Sequence, residues 1–197
     1  MNLKIQENVP LAELTTFKIG GNARYFAEIN SINELVEAFE WVKDKGHDYF
    51  ILGGGSNTIF SDEDYLGLII KMNIMGFEVI DEDESSSTIK VGAGEDWDET
   101  VERTVNMNLS GMEALSGVPG NTGATPVQNI GAYGQEVKDT IEFVEAYDAE
   151  QSKITKLSNE DCNFNKKENK IKINQKGTKK NFFFSFKQKK KKTRNTQ

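Results

Sequence analysis

Tyr49-Phe50-Ile51-Leu52-Gly53-Gly54-Gly55-Ser56-Asn57 decides how the rest of this chain is read: an apolar, aromatic run stops at three glycines and two short polar side chains. Such a run, bounded by turn residues, predicts a strand. Thr58-Ile59-Phe60 resumes an extended pattern, which places the glycine loop between two strands. Successive backbone N–H groups with no side chain blocking approach form a concave anion site, and a loop of this kind suits a diphosphate. Ser56 and Asn57 add donors. Each hydrogen bond to a charged oxygen contributes about 1.5–3 kcal/mol, so four or five would anchor a dinucleotide without a lysine. A plain glycine-rich turn is the other meaning of the same residues. The loop is not a P-loop, since no Gly-Lys-Ser/Thr follows, and it lacks the G-x-G-x-x-G spacing that opens a helix.

Upstream, Ser31-Ile32-Asn33-Glu34 has the form of a capping box, Leu35, Ala38, Phe39 and Val42 share one helical face, and Gly46 suits a left-handed stop. These predict a helix of about three to four turns. Downstream, Leu68-Ile69-Ile70, Phe77 to Ile80 and Thr88 to Val91 read as strands, with acidic Asp81 to Ser87 as a hairpin tip. Asp96 to Glu99 repeats the capping spacing, and Trp97, Val101, Thr104 and Val105 predict a second amphipathic helix ending near Gly111. Gly92-Ala93-Gly94, at a strand end, fits a tight turn better than a site. Ile141 to Tyr147 alternates as a strand does, with Ile154 to Leu157 as a hairpin partner.

Between them, Ser116 to Gly134 holds five glycines and two prolines with almost no charge. A long aperiodic loop in a compact domain is usually functional. Pro119-Gly120, Gly123, Thr125-Pro126, Gln128-Asn129 and Gly131-Ala132-Tyr133-Gly134 combine bare backbone, amides and a hydroxyl, the groups that hydrogen-bond the edge of a neutral isoalloxazine ring. A structural loop capped by Asn and Gln is the alternative.

The chain has 197 residues, 37% of them hydrophobic and 28% charged, a globular balance that excludes a fibre. One cysteine, Cys162, and one histidine, His47, exclude an internal disulfide and a structural zinc cluster. With no long apolar run and no signal-peptide core at Met1 to Glu7, a cytoplasmic location is expected, with no membrane association. The net charge of −7 hides a break. Residues 1–164 carry 11 basic against 30 acidic side chains, and residues 165–197 carry 13 basic against Glu168 alone. In that tail Lys, Asn, Phe and Ile supply 23 of 33 residues, and Phe182 to Phe186 followed by Lys187 to Lys192 lacks amphipathicity, so the segment is expected to be unstructured. All four residue types have codons built only from A and T, so an A/T-rich gene read in a shifted frame yields this mixture; the expectation is a frameshifted or truncated coding sequence.

Thr15-Thr16-Phe17 with Gly20 to Ala23, Ile51 to Asn57, Val91-Gly92-Ala93-Gly94-Glu95-Asp96-Trp97, and Pro119 to Gly134 together resemble the UDP-N-acetylenolpyruvoylglucosamine reductase family, in order and at family-like spacing, from about Leu14 to Phe164. The resemblance implies an α+β fold: an FAD-binding domain of the vanillyl-alcohol-oxidase (PCMH) type over 1–164, in two α/β lobes, about 1–73 and 74–164. Members use NADPH to reduce the flavin, which passes hydride from N5 to the enolpyruvyl group of the UDP-sugar, forming UDP-N-acetylmuramate for peptidoglycan. On this basis Gly53, Gly54, Gly55, Ser56 and Asn57 hold the FAD diphosphate, and Leu52 beside them is counted as cofactor-binding. Pro119, Gly120, Gly123, Thr125, Pro126, Gln128, Asn129 and Gly131 line the flavin and adenine-side pocket, with Tyr133 nearby.

The chain then departs from the family. Asp161-Cys162-Asn163-Phe164 begins the family's cysteine-containing strand, but Asn165-Lys166-Lys167 stands where Gly-Tyr-Arg is expected. Lys167 occupies the arginine position, and a point charge does not reproduce a planar fork. The family's serine proton donor, glutamate and C-terminal substrate domain have no counterpart, so the chain is expected to bind FAD and not to turn over, with no catalytic residue assigned. Two alternatives remain: an FAD module of another small-molecule oxidoreductase, or a nucleic-acid or anionic-surface binder acting through the basic tail. Against the second, the tail has no nucleic-acid-domain motif and the acidic body repels phosphate.

Overall fold

A computed structural model describes residues 3–149, 151–164 and 180–190. Strands β1 (Gln6–Pro10) and β2 (Asn22–Ile29), helix α1 (Ile32–Lys45), and strands β3 (Tyr49–Leu52) and β4 (Tyr65–Met72) form the first layer. Its sheet has the order β1-β2-β4-β3; β2, β4 and β3 run parallel and β1 antiparallel. Local chemistry delimits α1. The Ser31 hydroxyl accepts from the Glu34 N–H at 3.2 Å, the Glu34 carboxylate accepts from the Asn30 N–H at 2.7 Å, and Gly46 ends the helix at φ +67°.

The second sheet is antiparallel and takes in β5 (Phe77–Glu82), β6 (Ser86–Gly92), β7 (Leu109–Ser110), β10 (Ile141–Asp148), β11 (Lys153–Ser158) and β12 (Lys180–Lys190). Helix α2 (Trp97–Asn106) follows β6, and the one-turn helix α3 (Thr125–Gln128) and the two-residue strands β8 (Gly131–Ala132) and β9 (Gln135–Glu136) lie between β7 and β10. A second one-turn helix, α4 (Asn159–Cys162), follows β11. The strand order is β11-β10-β12-β6-β5, with β7 joined to β12. Between β5 and β6 the Asp83 carboxylate accepts from the N–H and hydroxyl groups of Ser85 and Ser86, which hold it well below the usual carboxylate range.

Helix α1 joins the layers. Phe39 stacks on Tyr147 of β10 and meets Tyr49 of β3 edge-on, both at 5.1 Å between ring centroids. Leu35, Ala38, Phe39 and Val42 therefore share one buried core with Ile89, Val91, Trp97 and Val144.

Three local expectations are corrected. Residues 58–60 form no strand, because β3 and β4 are parallel neighbours and such a pair needs a long crossover, which residues 53–64 supply. Asp161 and Cys162 are helical, not extended; the Ser158 hydroxyl and Asp161 carboxylate cap α4 reciprocally. The largest difference is β12: Lys180–Lys190, expected to be unstructured, pairs with β10 on one side and β6 on the other. Ladder hydrogen bonds are made by the backbone, so a strand slot between two open edges is filled without an amphipathic pattern. Residues 165–179 and 191–197, Lys167 among them, lie outside the described residues.

Candidate functional site

The glycine loop leaves β3 at the carboxyl edge of the parallel strands, the place where open α/β sheets bind ligands. Gly55 sits at φ +73°, and a Cβ there would stand 2.1 Å from the Leu14 carbonyl oxygen; the Thr16 N–H donates to the Gly55 carbonyl at 3.2 Å. A Cβ on Gly54 would stand 2.6 Å from Asn121 Oδ1 and 3.1 Å from Gly120 Cα. Both glycines are thus required by close approach, Gly55 to the Thr15-Thr16 loop and Gly54 to the facing wall.

That wall is the loop from Val118 to Ile130. A cleft of about 590 Å³ separates it from Gly53 to Thr58, within the ~300–1,000 Å³ usual for cofactor sites. Gly53, Gly54, Gly55, Ser56 and Asn57 line one side, and Pro119, Gly120, Thr125 and Gln128 the other. The Ser56 hydroxyl donates across the cleft to the Pro119 carbonyl at 3.1 Å, so it ties the walls together instead of standing free as a donor. Thr125 likewise spends its hydroxyl on the Thr122 carbonyl at 2.9 Å. Gln128 is exposed in the wall, and its side-chain amide makes no hydrogen bond among the described residues.

Six residues expected at the site do not line the cleft. Leu52 is buried in the small core around Leu11, Phe26 and Ile69. Gly123 packs on the end of β6: its N–H donates to the Ala93 carbonyl at 3.0 Å, and a Cβ would stand 2.6 Å from Ala93 Cβ. Pro126 is buried at the start of α3. Asn129, at φ +46°, clamps the next hairpin, accepting from the Lys138 N–H and donating to Glu136 at 3.2 Å each. Gly131 pairs with Glu136 in that hairpin, and Tyr133 stands at its tip with φ +50°, 96% exposed. The cleft's apolar surface comes instead from Phe50, Ile51, Trp97, Val118, Val127 and Ile130. Asn121, also unforeseen, donates to the Gly94 carbonyl and so joins the cleft wall to the turn after β6. Several of these lie in or beside the motifs in sequence, and Trp97, read there as a core position of a helix, is 0% exposed and backs the cleft with its indole N–H donated to the Leu115 carbonyl.

No charged side chain lines the cleft among the described residues. Behind the loop, Lys71 of β4 donates from Nζ to the Gly53 carbonyl. Burial pulls its pKa below the ordinary lysine value, and Glu28 partly opposes the shift. Bare loop backbone, a wall without charge and the exposed amides of Asn57 and Gln128 fit a flat, neutral ring joined to a diphosphate.

A two-lobed α+β domain with its cleft at a parallel sheet edge is the architecture of flavin-binding domains of the vanillyl-alcohol-oxidase type, and a model of the FAD binding domain family matches residues 23–158. The chain belongs to that family, and its cofactor is FAD. Among curated relatives, the UDP-N-acetylenolpyruvoylglucosamine reductase of Thermobifida fusca is 40% identical over 164 residues, covering 83% of this chain and 46% of the relative. That of Salinispora arenicola is 41% identical over 154 residues, 78% of this chain and 42% of the relative. The chain thus spans a little under half the length of these relatives. The crystal structure of UDP-N-acetylenolpyruvylglucosamine reductase from Thermus caldophilus superposes with a TM-score of 0.74 at 23% identity, covering 94% of this chain and 63% of that one. A solvent-stable cholesterol oxidase shares the fold at a TM-score of 0.64 and 12% identity, over 95% and 38% of the two chains.

Proposed function

We propose that this chain is the cofactor-holding part of a UDP-N-acetylenolpyruvoylglucosamine reductase, an enzyme that uses NADPH to reduce the enolpyruvyl ether of a UDP-sugar. The observation that carries this is the cleft itself, with the bare backbone of Gly53 to Asn57 facing the uncharged wall from Pro119 to Ile130. Gly54 and Gly55 present N–H groups for the diphosphate, and Asn57 adds an amide donor. Val127 and Ile130 supply apolar surface that excludes water from a ring plane, while Gln128 offers an amide to a ring edge. Bound FAD supplies the hydride acceptor and donor that no side chain provides.

Hydride addition to an enol ether leaves carbanion-like charge beside a carboxylate, which calls for a cationic group and a proton donor. No titratable side chain lines the cleft among the described residues. In this proposal residues 1–197 taken alone bind FAD and do not turn over. Purified chain is mixed with FAD, desalted and scanned, then given NADPH and the enolpyruvyl UDP-sugar. Retained flavin absorption without product is expected. A colourless protein overturns the cofactor assignment, and flavin-dependent product overturns the division of labour.

A further inference from the structure

The cleft has no charged lining among the described residues, yet FAD carries two negative charges at its diphosphate. One ammonium reaches the glycine loop from the sheet side. Lys71 stands on β4 in register with Leu52 of β3 and Glu28 of β2, so it lies beside the last strand residue before the loop. Its Nζ donates to the Gly53 carbonyl, and it has no salt-bridge partner among the described residues. The Glu28 carboxylate instead accepts from the Asn73 amide at 2.8 Å. A trans peptide points its C=O and N–H in opposite directions. Drawing the Gly53 carbonyl toward Lys71 therefore turns the Gly54 N–H away from Lys71, and Gly54 lines the cleft.

We propose that Lys71 is a positioning residue for the diphosphate: its ammonium fixes the Gly53–Gly54 peptide so that the loop N–H faces the ligand, and it sets a positive charge behind the loop. Half-burying an ammonium that has no salt-bridge partner among the described residues is unfavourable, and a bound dianion offsets that cost. The inference rests on the FAD assignment above.

The test titrates the 197-residue chain with FAD, ADP and riboflavin, for wild type, Lys71→Met, Lys71→Gln and Lys71→Arg, and records melting temperatures with and without FAD. Lys71→Met is expected to weaken FAD and ADP on the order of tenfold or more, to leave riboflavin unchanged, and to melt no lower than wild type without ligand. Lys71→Arg restores most of the affinity. Lys71→Gln keeps a donor without the charge, falls below Lys71→Arg, and serves in place of the Met variant should that one not fold. FAD affinity within about twofold of wild type in both uncharged variants overturns the proposal. So does an equal loss of riboflavin accompanied by a lower melting temperature, the mark of a purely structural lysine. A wild type that binds ADP but not FAD sinks the flavin assignment and leaves Lys71 standing; one that binds neither overturns both.

Discussion

Gly55 and Gly46 share a left-handed backbone, φ +73° and +67°, in opposite surroundings: a Cβ on Gly46 would meet nothing within 4 Å among the described residues, while one on Gly55 would strike the Leu14 carbonyl. Gly46→Ala is therefore expected to lose only the conformational cost, about 1 kcal/mol. Gly55→Ala should lose more, toward the upper end of about 1–3 kcal/mol, and should also weaken FAD. Urea midpoints of the two variants check this, and equal losses would contradict the close approach. Asp98 gives the second prediction at this scale. The Ser116 hydroxyl at 2.7 Å and the Gly117 N–H at 2.8 Å hold its carboxyl below the ordinary value of 3.8. A carboxyl lowered in the folded state stabilises fully above that ordinary value, and the contribution disappears as pH falls through the lowered one. Wild type should thus lose melting temperature more steeply than Asp98→Asn below pH 3.8. Parallel curves would show the contact to be idle.

Elements were legible where their ends carry their own chemistry. Helix α1 was readable because Ser31, Glu34 and Gly46 are local signals, and the β10–β11 hairpin because alternation survives in Ile141 to Tyr147. Strand β12 was not, since nothing in its lysines and phenylalanines encodes which edges it fills. Its placement pairs Lys190 with Glu82 at 2.9 Å and buries Gln188 opposite Ser87, where both polar atoms of the Gln188 amide lack a partner among the described residues. An unpaired buried amide costs about 1–3 kcal/mol. Gln188→Met, similar in volume, is therefore expected to raise stability by about 1 kcal/mol or more, read from the urea midpoint. A loss on this substitution would overturn the reading of Gln188 as a buried amide without a partner.

At the scale of the molecule, two sheets share a core through α1, and their junction makes the cleft. The glycine runs, the helix caps and the charge break at residue 165 were determined by the sequence alone, because each depends on whether a residue has a side chain, a capping oxygen or a charge. The tertiary structure decided which of those residues meet. Ser56 reaches Pro119 across 63 positions of chain, Lys71 reaches Gly53 from a neighbouring strand, and Trp97, a core residue of its own helix, comes to back a cleft formed by other segments. It also turned Leu52, Gly123, Pro126, Asn129, Gly131 and Tyr133 away from that cleft. Backbone permissiveness is a property of single residues and can be read in order along the chain, whereas a binding surface is a property of approach between segments, which exists only after the sheets have packed.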